Sequence, residues 1–333
     1  MGFNKGMTAI LSIVIIVGIL LTGCSSKNDY VAVINDGKVS VEEYKVYLWR
    51  IRQVYQSIGQ EDIWETKFDG KPAEEVAKER ALDSIKSIKL QVQEAKKMKL
   101  SLTEEEKEQI KTRAALLKSE IGEEEIKNMD ISNATLEKIA EENILSQKLF
   151  ETITKDFVIN KEEFEEFFEQ NKESLKQVRV KHILLKTHDI KNGQLVALSE
   201  EEQEEAYRKA QEALERAKAG EDFASLVQEY SEDEASLPSD GEYVFGRNQG
   251  MEPAFETASF ELNVGEISDL VETSYGYHII KLEEIIEPDK EVTEQSYYNL
   301  EKQSFYQSKV QEWINQAAVE INKEVWDTIK IKE

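Results

Sequence analysis

His182 and His278 are the residues of this chain best placed to do chemistry. Each sits in a run of apolar neighbours, Val180-Lys181-His182-Ile183-Leu184 and Tyr277-His278-Ile279-Ile280, that reads as a buried strand. An imidazole held in that setting can set the local geometry and electrostatics of a site. Strands pairing as antiparallel neighbours would bring the two rings together. A single buried histidine is also a common hydrogen-bonded core residue, so the pair carries the suggestion and neither member does alone. The third histidine, His188, lies in a polar stretch and reads as surface. The histidines show no His-x-x-x-His spacing, and the one cysteine, Cys24, excludes an intramolecular disulfide and thiolate zinc sites, so no metal or other cofactor is expected.

Composition narrows the partners. Of 333 residues, 67 are acidic and 42 basic, a formal net charge of -25 with a sequence pI near 4.7. Such a surface repels phosphates and offers no basic stripe for counterion release, which excludes nucleic acid. The acidic cluster Glu200 to Glu205 reads as a solvated helix face. With 40% hydrophobic residues, the chain is long enough for two or more cores.

The elements that must position the histidines begin after an address label. Lys5 followed by the apolar run Ala9 to Leu21 reads as a signal peptide, and the run is short of the ~20 residues a membrane span needs. Val31 to Asn35 alternates as a strand and Asp36-Gly37 turns the chain. Ser40 with Glu43 opens a helix to about Gln56. A helical pattern runs from Ala73 to about Lys97, and Thr103 with Glu106 opens another amphipathic segment. Ala134 to about Thr152 forms a further helix, and Asn160 caps one carrying Phe164, Phe167 and Phe168. At Gln177 the texture changes to a strand, Val178 to Leu185. A helix follows from Ser199 to Ala219 with Ser199 and Glu202 as its capping box, then short helices at about Asp222 to Tyr230 and Pro253 to Phe260. Strands are expected at Ile267 to Val271 and Tyr277 to Leu282. A last helix from about Thr293 to Lys323 carries an apolar stripe of Leu300, Val310, Trp313, Ile314, Ala317 and Ile321, which must be covered. It is expected to pack back on the amino-terminal helices. The organisation is therefore a signal peptide (1–23), a mainly helical domain (24–176), a compact α+β domain with a small, largely antiparallel sheet (177–285), and a carboxy-terminal helix (286–333) completing the helical domain. Trp49, Trp64, Trp313 and Trp326 all fall outside the α+β domain.

From Gln177 to about Glu284 the sequence resembles the parvulin family of peptidyl-prolyl isomerases. The resemblance rests on Val178-Arg179-Val180-Lys181-His182-Ile183-Leu184, on Tyr230-Ser231-Glu232-Asp233, and on a closing signature running from Phe255-Phe260 through Gly265-Glu266-Ile267-Ser268 to Thr273 and Gly276-Tyr277-His278-Ile279-Ile280. It implies a catalytic set of His182, His278, Asp233 and Thr273, with Met251 and Phe255 as the apolar pocket for a proline ring. Tyr243 or Phe245 would supply a pocket wall. One residue more than the family spacing precedes Met251, which leaves the register of that loop open. Lys186, His188 and Lys191 are diluted by an acidic insertion, so no phosphoserine preference is expected. The chemistry needs neither nucleophile nor cofactor, because the barrier of ~18–20 kcal/mol to rotation falls wherever a site binds the twisted amide better than a planar one.

Leu21-Thr22-Gly23-Cys24 resembles a bacterial lipobox, which implies lipid attachment at Cys24 and a polar tether after it. Lipobox, helical flanks and inserted parvulin domain together resemble the PrsA-type foldase lipoproteins. That resemblance implies a membrane-anchored, extracytoplasmic isomerase and chaperone acting on unfolded exported polypeptides that contain X-Pro bonds, with room for a homodimer. The rival reading keeps the chaperone and makes the parvulin domain catalytically weak or inactive. A solute-binding lipoprotein is disfavoured, since nothing suggests a two-lobed α/β cleft.

Overall fold

The computed structural model describes residues 29–331 except 59, 60, 69, 192 and 193. The expected signal peptide, Cys24 and the tether residues 25–28 lie outside the described residues. The chain divides into two compact units, Met1–Lys155 with Tyr306–Glu333, and the inserted Asp156–Phe305. The inserted unit thus begins ahead of residue 177 and runs past 285. The reason is aromatic: Phe164 and Phe167, on helix Lys161–Leu175, meet Tyr297 at 5.5 and 4.9 Å, and Phe157 meets Tyr298 and Phe305.

In the first unit, helices Val41–Ile58, Ala73–Lys97, Glu104–Ile121 and Asn133–Ile153 surround a core that includes Tyr44, Ile85, Leu136 and Ile139. The capping boxes do local work as expected: Thr103 accepts from the Glu106 backbone while the Glu106 carboxylate accepts from the Thr103 N–H. Strand Tyr30–Ile34 lies between Gly37–Ser40 and Val319–Ile321 in an antiparallel sheet. That third strand corrects the expected helix to Lys323. The long helix, Lys290–Gln316, stops at Gln316, and Ala32 pairs with Ile321, a partner almost the whole chain away. Val310, Trp313 and Ile314 do pack on Val92, Ala95 and Leu149, whereas Leu300 is 65% exposed and Ile321 sits on the strand, so neither belongs to the buried stripe.

The inserted unit is built on a four-stranded antiparallel sheet in the order Glu242–Gly246, Gln177–Lys186, Gly276–Ile286, Val271–Glu272. Side chains alternate across a strand, and the central pair uses both faces. Ile183, Leu185 and Ile279 pack under helices Glu200–Lys218 and Phe223–Tyr230, whereas Val178, Val180, Ile280 and Leu282 pack against Phe245 and Phe255. The even-numbered face also carries both histidines. The strand expected at Ile267 to Val271 reduces to a bridge between Ile267 and Lys281 followed by Val271–Glu272. Its backbone meets the neighbouring strand only at points, such as Ser268 N–H to Ile280 O at 2.8 Å, and no continuous ladder forms. Strand Glu242–Gly246 and a hairpin of His188–Lys191 with Gln194–Ala197 are elements the sequence did not announce. His188 is half-buried on that hairpin, next to Thr187.

Candidate active site

Register makes the histidine pair. Within the ladder of the two central strands His182 faces Ile280 and His278 faces Leu184, so the two are offset by two residues on one face, a diagonal within reach of large side chains. The rings lie nearly parallel at 18°, with centroids 5.4 Å apart and their Nδ1 atoms 3.2 Å apart. Gly241 fixes the backbone alongside. Its carbonyl accepts from the His182 N–H at 2.9 Å, its φ is +75°, and a Cβ there would stand 2.4 Å from the His182 carbonyl oxygen.

A hydrogen-bonded chain runs through the two rings. The turn after helix Phe223–Tyr230 brings Asp233 to His182, and one carboxylate oxygen, Oδ2, accepts from His182 Nε2 at 2.9 Å, Ser236 Oγ at 2.6 Å and Tyr243 OH at 2.9 Å. Of the facing Nδ1 atoms one carries a proton and the other accepts it. His278 Nε2 then meets Thr273 Oγ1 at 2.9 Å, a hydroxyl held in place by the Tyr275 N–H at 3.2 Å. The electrostatics follow from this wiring. The His182 hydrogen bond, helped by Ser236 and Tyr243 and opposed by burial, holds the Asp233 carboxyl well below its usual range. Burial, with His182 alongside, pushes His278 down to about 3, so it is neutral at physiological pH. Burial and the Asp233 carboxylate raise Tyr243 to about 12.

Beside the rings opens a cleft of about 350 Å³. Met251 and Phe255 line it, as expected, and Phe255 stands edge-on to both imidazoles, 5.3 Å from His182 and 5.1 Å from His278. Tyr243 lines it too. Phe245, the alternative wall, does not: it registers with Val178, deeper along the strand, and is buried against Phe255 and Phe260. Ser236, Tyr275 and Glu252 belong to the site and were missed. Ser236 follows Asp233 by the three residues of a turn, a signal that was available; Tyr275 had none. A larger cleft of about 970 Å³ lies in the first unit, lined by charged residues that include Lys89 and Glu142, which are paired with each other at 2.5 Å. Among the described residues no His, Cys, Asp and Glu cluster is arranged to hold a metal.

Residues 182–284 match the model of the PPIC-type PPIASE domain, and residues 3–150 match that of the SurA-like N-terminal domain. Fold and site therefore define a peptidyl-prolyl cis-trans isomerase of the PPIC type with a chaperone-like partner region. A foldase protein PrsA of Caldanaerobacter subterraneus subsp. tengcongensis is 33% identical over 323 residues, covering 94% of this chain and 95% of that protein, and the chain belongs to this foldase family. A chaperone SurA of Chromohalobacter salexigens is 36% identical over 141 residues, 42% of this chain and 30% of that one. A crystal structure of peptidylprolyl isomerase PrsA from Bacillus cereus aligns at 25% identity over 75% of this chain and 86% of that one, with a TM-score of 0.33.

Proposed function

We propose that the protein is a lipid-anchored, extracytoplasmic foldase that isomerises X-Pro bonds of unfolded exported polypeptides at the cleft beside His182 and His278. The carrying observation is the juxtaposition of an apolar floor, Met251 and Phe255, with a closed polar chain from Asp233 to Thr273. The floor takes the proline ring and strips water from its amide. Desolvation weakens the planar, charge-separated resonance form that resists rotation, while fixed polar groups meet the carbonyl as it turns. A neutral His278 is no general acid, so it acts by geometry, and the site works by differential binding of the twisted amide.

The decisive assay follows isomerisation of a proline peptide by the full chain and by a His182→Ala/His278→Ala variant. A large fall in kcat/KM with an unchanged circular dichroism spectrum is expected. Full activity in the variant would sink the assigned role. Anchoring is supported by Leu21-Thr22-Gly23-Cys24 preceding the first strand. Mass spectrometry of the chain expressed in a bacterium with a lipoprotein pathway should find a diacylglycerol on Cys24, and the Cys24→Ser variant should leave the membrane fraction. An unlipidated Cys24 would refute anchoring and leave the isomerase untouched. A homodimer belongs to the same proposal and is read directly by light scattering.

A further inference from the structure

Two acidic residues, Asp233 and Glu252, line the cleft, and they differ in what holds them. Asp233 is committed, with three donors converging on one oxygen. Glu252, half-buried at the cap position of helix Pro253–Glu261, makes no side-chain capping bond and meets no cation among the described residues. No lysine or arginine lines the cleft. The nearest arginine along the chain, Arg247, is turned onto the Phe260 ring at 4.1 Å. Glu252 also follows directly on Met251, whose side chain forms part of the floor.

A residue flanking a bound proline has its Cα only ~3.8 Å from the proline Cα across a trans bond, well within the length of a lysine or arginine side chain from the rim. We infer that the cleft selects prolyl bonds with a basic residue adjacent to the proline, and that the Glu252 carboxylate is the group that selects them. Acidic and phosphorylated neighbours are disfavoured by the same charge. This rests on the reading of the cleft as the isomerase site and adds the class of segment it takes. The strongly acidic chain around it acts in the same direction at longer range, drawing basic segments towards the cleft.

The test uses the full chain and three proline peptides for each flank of the proline, carrying Lys, Ala or Glu there. A single unneutralised charge at a wet rim is worth up to about fivefold in kcat/KM per charge change. The expected order on at least one flank is Lys over Ala over Glu, with the spread shrinking at about 1 M salt, where screening acts within ~3 Å. Glu252→Gln should compress the Lys-to-Glu ratio and Glu252→Lys should invert it. Each ratio is taken within one protein, so a general loss of activity in a variant does not imitate the effect. A flat profile in the natural chain, or a ratio that neither substitution moves, overturns the inference. No acceleration of any peptide by the natural chain would overturn the isomerase reading as well, and the Ala peptide separates the two failures.

Discussion

Replacing His278 should flatten the acid limb of the inserted unit's stability. In the folded chain burial holds this imidazole down to about 3, while in the unfolded chain it titrates near ~6.5. Between those values the unfolded state binds a proton that the folded state refuses. The stability tied to this group therefore falls as pH drops below about 6.5, by about 1.4 kcal/mol per pH unit, and this loss levels off only below about 3. Between pH 6.5 and 4.5 this single group costs about 2–3 kcal/mol, an appreciable share of the ~5–15 kcal/mol a domain possesses. Asp233 works lower on the scale: its depressed carboxyl contributes stability that is present above its unfolded value and lost as pH falls through its folded one, so it stays outside the window. His278→Gln should remove this group's share of the slope in that window while paying a pH-independent cost for the hydrogen bonds to His182 and Thr273. Tryptophan fluorescence is blind here, because Trp49, Trp64, Trp313 and Trp326 all belong to the other unit. Hydrogen exchange read on peptides covering Gln177–Lys186 and Gly276–Ile286 reports the relevant unfolding. Equal slopes in the two proteins would refute the reasoning, as would an NMR titration of His278 centred near its ordinary value.

Two further substitutions probe the framework of the site. Gly241→Ala meets both a positive φ and the His182 carbonyl, so a loss of at least about 2 kcal/mol and of isomerase activity is expected; thermal unfolding within a degree of the natural chain would show that the turn can yield. Phe255→Ala removes a ring that is 3% exposed and should cost about 3–5 kcal/mol with a raised KM for proline peptides. A loss below about 1 kcal/mol with an unaltered KM would mean that the ring is neither packed nor part of the floor.

Much of the architecture was legible because it is local. Capping boxes at Thr103 and Ser199, the helical repeat from Ala73 to Lys97, and the change of texture at Gln177 each announce themselves within a few residues. What failed failed for want of a distant partner. Val319–Ile321 is a strand only because Tyr30–Ile34 offers it an edge, and its sequence continues the preceding helical pattern well enough to mislead. Strand Glu242–Gly246 was hidden for the same reason, its partners lying in Gln177–Lys186.

For the site, the types of residue were written in the chain: two histidines in apolar strands, an aspartate ending a helix, a methionine and a phenylalanine at a helix start. Those choices fix what chemistry is available at the cleft. Only the fold decided that Tyr243 walls the cleft and Phe245 does not, that Ser236 completes the shell of donors on Asp233, and that His278 sits dry enough to stay neutral. Register, burial and convergence arise from contacts between segments up to about a hundred residues apart, and no window of sequence contains them.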